Sequence, residues 1–213
     1  MLRIEKAIVA VNDSRAALHA FTEALRLSLS YGFQLEAVCV GPSYQGDLSL
    51  VGVHDLERSL AEPCRTVLDE AVRMAKEAGA GLTTFAAEGN RLDAILHIAA
   101  KGGCDLIIIG QKPCFPLTAV GSLTAGLLCR SPVDVLVIPK DQPVRFDRVV
   151  RACDRSLIEP AHRTDADLVV WEHDGHPENW RNSIIGTTLY RMVRRSNRPV
   201  WIEKMTGSWK QRP

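Results

Sequence analysis

Short apolar segments alternate with longer amphipathic ones along the first 140 residues of the chain. The short segments are rich in β-branched side chains and end at polar or turn residues, which predicts strands. The longer segments repeat their apolar residues at three- and four-residue spacing, which predicts helices. The predicted strands are 6–11, 33–40, 81–89, 104–110 and 133–140, with helices between them at 14–29, 56–80, 91–103 and 121–131. The alternation indicates an α/β fold, an open parallel sheet with helices on both faces.

Two of these segments carry further information. The strand 104–110, "CDLIIIG", is almost wholly apolar, as expected for a strand that is buried on both faces of a parallel sheet. Pro63 falls inside the long helical segment 56–80, where it either kinks the helix or marks its true start.

The composition limits the classes of partner. The chain has 213 residues, 46% of them hydrophobic, and a formal net charge of +1, so no overall field favours nucleic acid or an anionic membrane. No apolar run approaches the ~18 residues that a spanning helix needs, and the N-terminus lacks an apolar leader core. We therefore expect a cytoplasmic protein with no membrane insertion and no nucleic-acid partner.

The cysteines and histidines do not point to a metal. The cysteines show no CxxC spacing and mostly lie in apolar segments, which predicts buried thiols rather than a redox or metal site. His173 and His176 fall in a polar segment after a strand, which favours a solvated loop. The cysteines are Cys39, Cys64, Cys104, Cys114, Cys129 and Cys153.

Parallel sheets bind ligands beyond the carboxyl ends of their strands, where the strand order reverses. The loops that follow Val11, Val40 and Ile109 are therefore the candidate ligand loops. Four segments resemble the universal stress protein family in their order and separation. They are "AIVAVNDS", "LEAVCV", "EGNRLDAILHIAAKGGCDLIIIG" and "GSLTAGLLCRSPVDVLVIPK". The resemblance spans residues 1–140. It implies the strand order 3-2-1-4-5, dimers that pair their fifth strands antiparallel and, in one branch, an ATP or AMP site.

The resemblance implies specific binding positions, which this sequence matches in part. The acidic residue that closes strand one in the family falls on Asn12, and the adenine-side valine falls on Val40. The first glycine of the phosphate loop falls on Gly110, but the second falls on Pro113, which has no N–H. The last pair of the loop is Gly121-Ser122, at a helix N-terminus that favours anions.

Two further residues complete the candidate site. Val11 closes the first strand, and Lys112 offsets some of the lost phosphate donors. The resemblance thus implies a regulatory protein of the stress response that binds ATP or AMP and acts on an unidentified protein partner. The alternative is an interaction module with a decayed pocket, in which Gly110 and Gly121 serve only strand–helix packing. No nucleophile–base pair is evident, so we predict no enzyme beyond, at most, slow ATP hydrolysis.

The chain beyond residue 145 resembles a second, truncated copy of the same family domain. "VVRACDRS" (149–156) places Asp154 on Asn12, "DADLVVWEHDG" (165–175) places Asp167 on Asp105, and "GTTLYRMVRRSNRPVWI" (186–202) places Gly186 on Gly121. Strands 1, 4 and 5 are kept, whereas strands 2 and 3 are missing. The predicted domains are 1–140 and 146–204, followed by a tail at 205–213.

Three strands and one helix do not bury both faces of a sheet unaided. We therefore predict that strand 199–203 pairs antiparallel with strand 134–139, so that the second unit extends the first sheet as 5'-4'-1' in an internal pseudo-dimer. The linker 141–147 is short. Exchange of the second unit between two chains of a homodimer is the alternative.

Overall fold

The computed structural model describes residues 4–43, 53–111, 122–152, 166–173, 193 and 196–204. Eight strands and four helices are assigned within these residues, and all eight strands belong to one sheet. The helices are α1 (Arg15–Tyr31), α2 (Val53–Glu77), α3 (Arg91–Gly102) and α4 (Ser122–Arg130). The strands are β1 (Lys6–Ala10), β2 (Gln34–Gly41), β3 (Thr83–Glu88), β4 (Leu106–Gln111), β5 (Asp134–Pro139), β6 (Val149–Ala152), β7 (Leu168–His173) and β8 (Val200–Lys204).

The strand order is β3-β2-β1-β4-β5-β8-β7-β6. Neighbouring strands are parallel except for β5 and β8, which are antiparallel with Leu136 opposite Trp201. The predicted fold class is therefore confirmed: an open α/β sheet of order 3-2-1-4-5, extended through its fifth strand by three further strands. The antiparallel pairing lies within one chain. The division of the chain into domains at residues 140 and 146 stays a prediction.

Local sequence signals explain where the helices begin and end. Ser14 caps α1, its Oγ accepting the Ala17 N–H, and Gly32 ends the helix in the left-handed conformation at φ 75°. Asn90 caps α3. Pro63 lies inside α2, which starts ten residues earlier at Val53, so the alternative that Pro63 marks the helix start is wrong.

The sheet buries apolar side chains on both faces. One cluster joins α1 and α2 to one face and includes Phe21, Ile108 and Trp201, while the other joins α3 and α4 to the opposite face and includes Ile107 and Leu127. Strand β4 is buried on both sides, as its apolar sequence predicts. Because Trp201 and the β7 side chains belong to the same clusters as the first five strands, the core continues across the β5–β8 junction.

The cysteines within the described residues agree with the expectation of buried thiols in three of four cases. Cys39, Cys64 and Cys104 are buried, whereas Cys129 is partly exposed. Burial raises the pKa of the Cys39 and Cys104 thiols to about 12, which disfavours the reactive thiolate. Cys114 and Cys153 lie outside the described residues.

The segment that joins β5 to β6 packs on α1. The Val144 N–H donates to Glu23 Oε2 at 2.8 Å, and Arg26 donates to both Glu23 and the Val144 carbonyl. The Phe146 ring then stands edge-on against Tyr31, with ring centroids 5.4 Å apart. The predicted linker is thus an ordered part of the fold.

Polar groups at the β5–β8 junction are satisfied across the two strands. Asp134 accepts the Trp201 indole N–H at 3.0 Å and the Lys204 backbone N–H at 2.8 Å, while Lys204 Nζ donates to the Leu128 carbonyl in the last turn of α4 at 2.6 Å. Burial raises the pKa of the Asp134 carboxyl and lowers the pKa of Lys204 to about 8.

This depressed pKa makes the junction sensitive to pH. In the unfolded chain a lysine titrates near 10.4. Between about pH 8 and 10 the unfolded chain therefore binds more protons at Lys204 than the folded protein does, so the contribution of Lys204 to the free energy of unfolding rises with pH. We expect the free energy of unfolding of the wild type, relative to Lys204→Met, to rise by roughly 2.5 kcal/mol from pH 7 to 10. Urea denaturation at each pH measures the difference.

The raised pKa values of the Cys39 and Cys104 thiols lower the free energy of unfolding above about pH 9. Both proteins keep these cysteines, so the difference in unfolding free energy between the wild type and Lys204→Met does not contain their contribution. Lys204→Arg is the control, because it keeps the charge across this range and is expected to show no rise relative to Lys204→Met. A wild-type difference that stays flat from pH 7 to 10 contradicts the prediction.

Candidate functional site

A cavity of about 260 Å³ lies at the carboxyl ends of β1, β2 and β4. The strand order reverses here, because β1 continues into α1 on one face of the sheet while β4 is followed by α4, which packs on the other face. The N-terminal ends of α1, α3 and α4 all reach the cavity. Its lining residues are Ala10, Val11, Asn12, Ser14, Ala17, Val38, Val40, Arg91, Ile95, Ile109, Gly110, Gln111, Leu123 and Thr124.

Four of the seven residues named from the sequence line this cavity together: Val11, Asn12, Val40 and Gly110. Ser122 is the first residue of α4, next to the lining residue Leu123. Lys112 and Gly121 lie outside the described residues, and so does Pro113. The structure therefore brings four of the predicted residues together at one cavity, whereas their role in nucleotide binding and the predicted phosphate loop stay predictions.

Asn12 shapes the turn that opens α1. Its Oδ1 accepts the Ser14 backbone N–H at 2.9 Å, a local turn that this residue type favours. Ser14 in turn caps the helix. One acceptor site of the Asn12 carbonyl is thus used by the turn, while the Nδ2 amide group of this exposed residue is a donor for a ligand.

Gly110 lies against the backbone of α1. A Cβ atom built on Gly110 would lie 2.1 Å from the Ala16 carbonyl oxygen and 2.9 Å from the Ala17 nitrogen. No side chain fits at this distance unless the strand and the helix move apart. The packing of β4 on α1 accordingly requires glycine here, whether or not a ligand binds.

Besides the capping residue Ser14, three polar lining residues were missed by the sequence reasoning: Arg91, Gln111 and Thr124. Arg91 is the first residue of α3, directly after the carboxyl end of β3, at the same edge of the sheet as the predicted loops. Its exposed guanidinium has no ion pair with any described residue. The rule that ligands bind beyond the carboxyl ends of strands applies to β3 as well, and extending it to the loop after β3 would have found Arg91.

Gln111 is the last residue of β4 and is only 7% exposed. Its Nε2 donates to the backbone carbonyl of Val193 at 2.8 Å, and its Oε1 has no hydrogen-bond partner among the described residues. Val193 is a helical residue 82 positions further along the chain and is fully buried. The Gln111 side chain thus links the cavity to the chain beyond β7.

Neither a metal site nor a membrane span is found in the part of the chain that the structure describes. No group of three or more His, Cys, Asp and Glu side chains converges there as metal ligands. The described helices include none that is both long and apolar enough to cross a bilayer.

The fold and the cavity define a class of protein: a doubly wound α/β protein with a small-molecule cavity at its switch point. The model of the universal stress protein family matches residues 3–139, and the chain belongs to that family. A comparison with curated protein sequences gives no match.

Solved structures agree with this assignment. UspA from Lactobacillus plantarum is 26% identical over 65% of this chain and 99% of its own, with a TM-score of 0.54. A universal stress protein from Archaeoglobus fulgidus is 15% identical and covers 96% of this chain and 100% of its own, with a TM-score of 0.74. A universal stress protein solved in complex with cAMP is 23% identical over 65% of this chain and 99% of its own, with a TM-score of 0.51.

Proposed function

We propose that the protein binds an adenine nucleotide, ATP or AMP, at this cavity and acts as a cytoplasmic regulator in the stress response. The observation that carries the proposal is the cavity at the strand-order reversal, with apolar walls and a few convergent polar groups, as in small-molecule sites generally. A universal stress protein of similar fold was solved with cAMP, another adenine nucleotide.

The lining suits the parts of a nucleotide. Val38, Val40 and Ile95 offer apolar contacts for a base, and the Asn12 amine is a donor for a ribose hydroxyl. The Arg91 guanidinium and the N-terminus of α4 favour the phosphates. A volume of about 260 Å³ is small for a ligand site, so the nucleoside fills the cavity and the phosphates extend towards Ser122.

The second candidate function is a protein-interaction module with a decayed pocket. The steric need for Gly110 in packing against α1 favours it, because that glycine would persist without any ligand. Pro113 in place of the second loop glycine also removes a backbone donor for phosphate.

Calorimetry with adenosine, AMP and ATP separates the two functions. We expect all three to bind the wild type, ATP most tightly, and Arg91→Ala to weaken ATP binding about tenfold while adenosine binding changes less than twofold. Arg65→Ala, an exposed arginine on α2 outside the cavity, is the matched control. No heat and no thermal shift with any of the three ligands at millimolar concentration would favour the interaction module.

We also propose that residues 146–204 are a truncated second copy of the family domain. The strand registers support this. The pairs Ala7–Leu106 and Ile107–Val135 in the first unit correspond to Val149–Leu168 and Val169–Val200 in the second, at the offsets that the sequence match gives. In the same way, Asp105 N–H donates to the Lys6 carbonyl and Asp167 N–H to the Arg148 carbonyl, both at 2.8 Å.

A repeated turn before the last strand of each unit gives further support. Ser131 Oγ bonds the carbonyl and N–H of Val133, and Ser196 Oγ bonds those of Arg198. Leu136 and Trp201 are equivalent in the sequence match and also lie opposite each other in the β5–β8 pair. A pseudo-two-fold axis that relates the two units would pass through this residue pair, as an internal pseudo-dimer requires.

A further inference from the structure

The starting observation is the side-chain amide of Gln111. Val193 offers a backbone carbonyl, which only accepts, so the 2.8 Å contact assigns Nε2 to the Val193 side of the amide. The other atom, Oε1, is consequently turned away from Val193. It is buried and has no hydrogen-bond partner within the part of the chain that the structure describes, although Gln111 lines the cavity.

A buried acceptor without a partner is costly and uncommon, so it calls for a physical explanation. Arg198 Nε is the other such side-chain atom among the described residues, and Arg198 does not line the cavity. The hydrogen bond to Val193 accounts for Nε2 of the amide but leaves Oε1 unexplained. A hydrogen bond to Oε1 that forms when the cavity is filled would account for the second atom.

We propose that Gln111 is the specificity-determining residue of the cavity, its Oε1 accepting a hydrogen bond from an O–H or N–H donor of the bound nucleoside. This inference rests on the proposed nucleotide binding. A ribose hydroxyl fits best, because it both donates and accepts: it can donate to Gln111 Oε1 while it or its neighbour accepts from Asn12 Nδ2. The 6-amino group of adenine is the other nucleoside donor.

Calorimetry with ATP, 2′-deoxy-ATP, 3′-deoxy-ATP and inosine triphosphate identifies the donor. We expect the wild type to bind one deoxy analogue roughly 10- to 100-fold more weakly than ATP, because Oε1 then stays unpaired. In Gln111→Leu the same analogue and ATP are expected to differ less than about threefold. Loss confined to the inosine analogue would assign the donor to the adenine amino group instead.

Gln142→Leu makes the same chemical change on the segment that packs on α1, outside the cavity, and is expected to keep the wild-type discrimination. The proposal is overturned if Gln111→Leu discriminates as the wild type does, or if the wild type binds all four nucleotides equally. In the second case nucleotide binding itself still stands.

A second measurement needs no ligand. Replacement by leucine removes both the unpaired Oε1 and the Nε2 donor to the buried Val193 carbonyl, so the urea midpoint of the ligand-free protein is expected to fall only slightly. A large drop in the midpoint would assign Gln111 to a structural role through Val193 and would overturn the proposal.

Discussion

Replacing Trp201 by alanine is expected to lower the free energy of unfolding by about 3–5 kcal/mol. Trp201 is 1% exposed and lies opposite Leu136 in the antiparallel β5–β8 pair. Its ring stands edge-on to Phe146, with centroids 6.3 Å apart, and its indole N–H donates to Asp134. The alanine variant leaves a large cavity at the middle of the junction and an unpaired carboxylate oxygen. Urea denaturation measures the loss.

Hydrogen exchange locates the effect of the Trp201 change. Amides of β6, β7 and β8 are expected to lose more protection than those of β1 and β2, because the second unit depends on the junction for its core. Trp201→Phe is the control: it keeps most of the ring and removes the donor to Asp134, for a cost of about 1–2 kcal/mol. A Trp201→Ala variant within about 1 kcal/mol of the wild type would mean that the junction contributes little to stability.

Replacing Gly110 by alanine is expected to cost about 2–3 kcal/mol of stability. The new methyl group would lie 2.1 Å from the Ala16 carbonyl oxygen, and the backbone of α1 cannot rotate away as a side chain can. The strain displaces the β4–α1 contact beside the cavity, so nucleotide binding is expected to weaken as well. Thermal and urea denaturation check the stability, and calorimetry checks the binding.

Two other glycines provide matched controls. A Cβ on Gly81 meets no atom within 4 Å, so Gly81→Ala is expected to be neutral. A Cβ on Gly126 lies 2.3 Å from Leu92 Cδ2, the end of a side chain that can rotate, so Gly126→Ala is expected to cost less than Gly110→Ala. Equal effects of the Gly110 and Gly126 changes would contradict the argument that backbone contacts decide the cost.

The topology was predictable because it depends on signals that are local or repeated. Apolar runs such as "CDLIIIG" mark buried strands, and the likeness of "VVRACDRS" to "IVAVNDS" indicates a second copy, from which the pairing of strand 199–203 with strand 134–139 is predicted. The β5–β8 pairing confirms that prediction. Five of the seven predicted site residues follow from the family pattern, and four of the seven line the cavity.

The remaining site features depend on distances between side chains that lie far apart in the chain. Nothing in the letters "GQK" (110–112) indicates that Gln111 reaches a carbonyl 82 residues later. The engagement of the Asn12 carbonyl by Ser14 depends on the turn conformation, and the burial of Lys204 depends on where the second unit docks. Sequence spacing encodes the order of elements but not these contacts.

The hydrogen bonds of β5 have a consequence for how copies of this chain can associate. Strand β5 is paired with β4 on one side and with β8 on the other, so neither side is open to a further strand. Another subunit could add to β5 only by first displacing β8, at the expense of the buried Trp201. While β8 occupies this edge, we therefore expect that copies of the chain do not pair through their fifth strands.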